Sequence, residues 1–189
     1  MSHIHTEPNQ HDLTVTAYIL KVNSSEPKAL LHMHKKLNIL LPIGGHVELN
    51  ETPWQAMSHE LTEESGYTLN QLELLQPPSR ITKMSKVVQH PYPLSMNTHD
   101  IPGEHFHTDI EYGFITTEDP SLEIAEEESI DLRWVTKSEL AKLGSDMIFD
   151  NTREIYEFLF NEGLLKWDQV DVGEFLLNYP ADYIEQVES

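Results

Sequence analysis

The chain reads as an α+β domain, and three observations carry that reading. Residues 13–22 and 104–116 alternate apolar and polar side chains, imperfectly in the first run, with the two-residue period of half-buried strands. Between them, residues 53–65 carry a helical pattern whose start and stop are both written in the sequence. A further helical stripe, Ile155, Phe158 and Leu159, lies between a cap at Asp150 or Asn151 and a stop at Gly163.

Composition bounds the function. The 189 residues suit one domain with an ordinary core. Twelve basic against 32 acidic residues give a formal charge of −20, which disfavours large nucleic acids and anionic membranes as partners. A polyanionic small substrate would need local cations or a bound metal. There is no cysteine, so disulfides, thiolate catalysis and thiolate metal ligands are excluded. No apolar run is long enough to span a membrane, and the first residues lack the pattern of a signal peptide. The expected localisation is cytoplasmic.

Taken in order, residues 1–12 read as a flexible N-terminal arm with His3, His5 and His11. Strands follow at 13–22, 29–34 and 38–43, the last leading into Gly44-Gly45; His46 and Val47 begin another. His32, His34, Lys35 and Lys36 read as a solvated cationic strand edge. Residues 67–75 continue as a strand until Pro77-Pro78, 81–89 has strand-like sections, and the proline-rich 91–104 reads as an irregular loop. In 104–116, His105, His107, Asp109 and Glu111 alternate with Phe106, Thr108, Ile110 and Tyr112, so the polar set shares one face. That face is expected to be solvated unless it borders a cleft. An acidic loop containing Glu126, Glu127 and Glu128 precedes a strand at 130–135 and a short helix capped by Thr136 with Glu139. Residues 13–161 form the expected domain, and 162–189 a helical extension that docks on it or supports a homodimer.

The stretch from Gly44 to Tyr67 organises the rest. Thr52 is a good N-cap, Pro53 suits the first helical position, Gln55 completes a capping box and Gly66 stops the helix. Glu60, Glu63 and Glu64, at i, i+3 and i+4, share one face, and Trp54, Met57 and Leu61 form an apolar stripe beside it. Like charges at this spacing repel, and a hard divalent cation with oxygen ligands removes that cost.

This stretch resembles the Nudix hydrolase family, whose signature is G-x5-E-x7-R-E-U-x-E-E-x-G-U, with U a bulky apolar residue. Gly45, Glu51, Glu60, Leu61, Glu63, Glu64, Gly66 and Tyr67 match it at every spacing. His59 stands where the family has an arginine that orients the glutamates; histidine lacks the guanidinium fork. The resemblance implies a Nudix-like α/β/α sandwich around a mixed curved β-sheet. It implies Mg²⁺ or Mn²⁺ held by Glu60, Glu63, Glu64 and the Gly45 carbonyl, with Glu48 and Glu51 tuning the site. Glu63 is the implied general base, with Glu126, Glu127 and Glu128 as alternatives, and His59 joins Glu60, Glu63 and Glu64 in the catalytic set. Lys35, Lys36, Arg80, Lys83 and Lys86 are auxiliary phosphate contacts, and Tyr92, His105, His107 and Tyr112 are candidate contacts to the rest of the substrate.

The implied activity is metal-dependent pyrophosphohydrolysis of a nucleoside diphosphate linked to another moiety. The alternative, suggested by His59, is a weakly active or inactive Nudix-like nucleotide-binding module. Isopentenyl diphosphate isomerase-like chemistry is disfavoured by the missing cysteine, and a purely structural acidic domain leaves the spacing unexplained.

Overall fold

In the computed structural model, residues 6–7, 9–101 and 105–178 are described; the expectations for His3 and His5 lie outside them. The strands are β1 (His11–Lys21), β2 (Lys28–Met33), β3 (Leu40–Leu41), β4 (Ile43–His46), β5 (Glu73–Gln76), β6 (Ser95–Asp100), β7 (Phe106–Thr116), β8 (Leu132–Thr136) and β9 (Asp168–Asp171). The main helices are α1 (Pro53–Ser65), α2 (Lys137–Leu140) and α3 (Asp150–Phe158), the last running into a π-helical turn, Leu159–Gly163.

The strands form one mixed sheet in the order β3-β2-β1-β7-β5-β9, with β4 paired to β1, β6 to β7 and β8 to β2. Its spine is the parallel pair β1–β7, in register from His11 opposite Phe106 to Lys21 opposite Thr116. The other named strand pairs are antiparallel. No helix among the described residues is long and apolar enough to cross a membrane.

Strand alternation sorts the core into two layers. Val15, Ala17 and Ile19 of β1 and Tyr112 and Phe114 of β7 face α1 and bury Trp54, Met57 and Leu61. The Trp54 ring lies 5.5 Å from Tyr112 and 6.2 Å from Phe114. Tyr18, Leu20 and Ile115 face the other way, against Tyr156 and Leu159. Tyr156 also donates its hydroxyl to the Leu30 carbonyl. The result is an α+β sandwich with helices on both faces. The buried stripe of the second layer is Thr152, Tyr156 and Leu159, while Phe158 is exposed.

Several expectations are corrected. Residues 81–89 form no strand: Ile81, Met84 and Val87 are exposed with no apolar surface to cover. The loop expected at 91–104 contains β6, a polar strand whose pairing with β7 leaves no apolar period to read. The run 38–43 splits into β3 and β4 around Pro42, and 67–75 opens with a 3₁₀ turn, Leu69–Gln71, before β5. The described part of the expected helical extension holds a short helix, Leu164–Lys166, and a 3₁₀ turn, Val172–Glu174, and between them β9, which adds to the β5 edge with Leu74 opposite Val170; residues 179–189 lie outside the described residues. Phe175 of the extension packs on Trp54 at 6.2 Å.

Candidate active site

Helix α1 is placed by its ends. Thr52 accepts from the Gln55 N–H and Gln55 returns a bond to the Thr52 N–H, completing the capping box. Gly66 closes the helix in the left-handed region at φ 71°. The helix packs beside β4; Gly44 lets β4 lie close against β1, and Gly45 admits the helix side chain of Glu60. A Cβ on Gly44 would lie 2.1 Å from the Val15 carbonyl oxygen, and one on Gly45 would lie 2.1 Å from Glu60 Oε1. The Glu60 carboxylate therefore occupies the space that the missing Gly45 side chain leaves.

Glu64 is buried, and its Oε2 accepts the Gly44 N–H at 2.8 Å. Burial holds its carboxyl well above the usual range; the Gly44 bond opposes this, while the charges of Glu60, Glu128 and Glu63 reinforce it. His32 Nε2 is 3.9 Å away, but burial and the neighbouring His34 push His32 down to about 4, so the contact joins a neutral imidazole to the carboxyl. His32 is thus a buried neighbour of Glu64, correcting its reading as a solvated edge residue.

His59 bridges two acids. Its Nδ1 lies 2.9 Å from Glu51 Oε2 and its Nε2 3.3 Å from Glu60 Oε1. The hydrogen bond to Glu60, together with the charges of Glu60, Glu51 and Glu63, outweighs burial and raises the imidazole to about 9. The ring is a cation at neutral pH. Glu51 is held from its other oxygen by the Glu48 N–H at 2.7 Å. Histidine thereby spans two carboxylates without a guanidinium, using one nitrogen for each.

A family model, the NUDIX domain, matches residues 12–157. The chain belongs to the Nudix family. It is a hydrolase acting on phosphoric anhydride bonds. Among solved structures, a Nudix-family hydrolase from Clostridium perfringens is similar at 28% identity and TM-score 0.62, covering 78% of this chain and 97% of that one. A Nudix hydrolase from Nitrosomonas europaea shares the fold at 14% identity and TM-score 0.59, covering 90% and 98%. So does an Ap4A hydrolase from C. elegans, at 14% identity and TM-score 0.57, covering 78% and 95%. Among curated proteins no match is found.

Around the Nudix helix the remaining candidates separate. Glu63 is exposed on α1 and lines a shallow cleft of about 390 Å³ together with Gln55, Ser58, His59, Thr62, Leu177 and Asn178. The acidic loop is tied to the helix, with Leu122 N–H bonded to the Gly66 carbonyl at 3.0 Å and Ala125 N–H to the Glu63 carbonyl at 2.9 Å. Glu126 and Glu127 in it are exposed; Glu128 is half-buried, and Glu64 and His34 both feel its charge.

Lys35 donates to the Glu127 carbonyl, while Lys36, Lys83 and Lys86 are exposed. Arg80 is engaged by the Pro77 carbonyl and by Asp168 of β9 at 2.7 Å, a structural tie. Tyr112 is a core residue against Trp54, and the Tyr92 hydroxyl accepts the Ile81 N–H. His105 and His107 lie on the sheet face turned away from α1. That polar face is buried where the sequence suggested solvent. Asp109 accepts from Thr14 at 3.0 Å and Thr16 at 2.8 Å, and Glu111 accepts from Tyr18 at 3.3 Å and Asn97 at 3.1 Å.

Proposed function

We propose that this Nudix hydrolase is a divalent-cation-dependent pyrophosphohydrolase that splits a nucleoside diphosphate linked to a second group. The observation that carries the reading is Glu64: a buried carboxyl crowded by Glu60, Glu63 and Glu128 and anchored to the glycine pair. Such a cluster of hard oxygens fits Mg²⁺ or Mn²⁺. Glu60, Glu63, Glu64 and the Gly45 carbonyl would hold the ion, which when bound offsets phosphate charge and acidifies water.

The chain's own groups do the positioning. The Gly44 N–H aims Glu64, and His59 fixes Glu51 and Glu60 with one positive charge. Glu63, lining the cleft, takes a proton from the attacking water. The water oxygen forms a new bond to phosphorus, the anhydride P–O bond breaks, and the leaving phosphate carries away the bridging oxygen with its electron pair. One water is consumed and two phosphorylated products form. The cationic bridge at His59 supports catalysis over the inactive binding-module alternative, because it retains the charge that the missing arginine would carry.

The test is a panel of nucleotide sugars, dinucleoside polyphosphates and nucleoside triphosphates with Mg²⁺ and with Mn²⁺, following every phosphorylated product. Glu63→Gln is expected to lower kcat by about 100-fold or more with its thermal unfolding unchanged. Full turnover in that variant moves the base to Glu128 or its neighbours. No turnover on any compound, with tight binding of one nucleotide, supports the binding module instead.

A further inference from the structure

Strand β4 sends consecutive residues to opposite faces. Gly45 faces α1 and Glu60, and His46 faces away. His105 and His107, two residues apart at the start of β7, share that far face. Strand β1 lies between, with Thr14 opposite His46 on one side and Asp12 opposite His107 on the other. One ring nitrogen from each of the three histidines lies within 4.8 Å of the other two. The Nε2 atoms of His105 and His107 are 3.0 Å apart. Ring centroids are 4.9 Å apart for His46–His107 and for His105–His107. The buried Asp12 places Oδ2 3.7 Å from His46 Nε2.

We propose that His46, His105 and His107 form a second cation site, for a borderline divalent ion of the Zn²⁺ class, separate from the carboxylates of α1. Two nitrogens bound to one tetrahedral Zn²⁺ at about 2.0–2.1 Å stand roughly 3.3 Å apart, close to the His105–His107 spacing, and ordinary side-chain rotation closes the rest. Imidazole nitrogen selects such ions over Mg²⁺, whereas the all-oxygen cluster across the sheet prefers the harder ion. A hydrogen bond between His105 and His107 accounts for two rings. The third ring reaches the same point from a strand that does not pair with β7, with Asp12 beside it. Three protein ligands leave a fourth tetrahedral position for water, and Asp12 adds the neighbouring negative charge. The ion would pin β4 to β7 across β1, directly behind the glycine pair that receives Glu60 and Glu64.

The full chain, stripped of metal and held in excess Mg²⁺, is titrated with Zn²⁺ against a chromophoric chelator. One tightly held Zn²⁺ per chain is expected. His46→Ala and His107→Ala are expected to weaken it by about 100-fold or more, and Asp12→Asn by about 10-fold, while Glu64→Gln leaves it within about threefold. Co²⁺ in the same site is expected to show the visible absorption of tetrahedral nitrogen ligation. No Zn²⁺ retained over Mg²⁺, unchanged affinity in the histidine variants, or loss confined to Glu64→Gln overturns the proposal. Should a histidine variant fail to fold, thermal unfolding of the wild type and of Glu64→Gln decides. An equal rise in midpoint with Zn²⁺ in both supports the site, and no rise overturns it.

Discussion

On the α1 side of the sheet, Glu51, Glu60 and Glu64 meet a protonated imidazole and backbone N–H groups. On the far side, Asp109 and Glu111 meet two threonines, a tyrosine and an asparagine. Both sets are withdrawn from water, and the residue types are the same. The partners differ in charge and in reach. Hydroxyl and amide donors favour the carboxylate form, but burial outweighs them and lifts both Asp109 and Glu111 above their ordinary range. Across the sheet, a cation is built in at His59, and the remaining negative charge gathers where a second cation would neutralise it. The acids of α1 and its leading loop and those of β7 thus lie on opposite sides of one sheet; burial lifts Glu64 as well, and what sets its side apart is the cation at His59.

The largest expected effect breaks the α1 side alone. In Gly45→Ala the new methyl takes the place of Glu60 Oε1, the end of a flexible side chain, so the carboxylate moves and the backbone stays. The kcat/KM is expected to fall by about 100-fold or more, with a small change in thermal unfolding, since misplacing a reacting group by about 1 Å has that cost. Wild-type kinetics in this variant would mean that Glu60 need not stand where it does. His59 sharpens the same contrast. His59→Ala removes both bridges and is expected to lower kcat/KM by about 10–100-fold, with His59→Gln close to it. His59→Arg keeps the charge and is expected to recover most of the loss. Recovery by glutamine rather than arginine would assign the role to shape instead of charge.

The legible parts of the molecule were the locally encoded ones. Helix α1 begins and ends where Thr52, Pro53, Gln55 and Gly66 say it does, because each acts on backbone within one turn of itself. The capping box of Thr136 and Glu139 is legible for the same reason. The 3.6-residue period also puts Glu60, Glu63 and Glu64 on one face before any tertiary contact is known. What was not legible depends on partners distant in sequence. The anchor of Glu64 is a backbone N–H at Gly44, which carries no side-chain signature. The bridge from His59 to Glu51 requires a loop to fold back on the helix. Strand β6 is polar and is defined by its pairing with β7, and β9 by its pairing with the β5 edge. His32 and Glu111 look like surface residues until the layers that cover them are in place.

The smaller effect tests the far side through pH. Burial, helped by Asp109, raises Glu111 from 4.5 to about 7. The fold tolerates the neutral carboxyl better than the carboxylate, so the contribution of this group to stability is fully present below 4.5 and is lost as pH rises through about 7. Glu111→Gln keeps an acceptor for Tyr18 and Asn97 and cannot ionise. Denaturant unfolding is expected to show the variant close to wild type in acid and more stable than it at about pH 8, by on the order of 1–3 kcal/mol. The difference should grow across the interval from 4.5 to about 7 and then level off. An offset that is the same at every pH would mean that burial does not raise Glu111, and the lifted acid of the far face would then be Asp109.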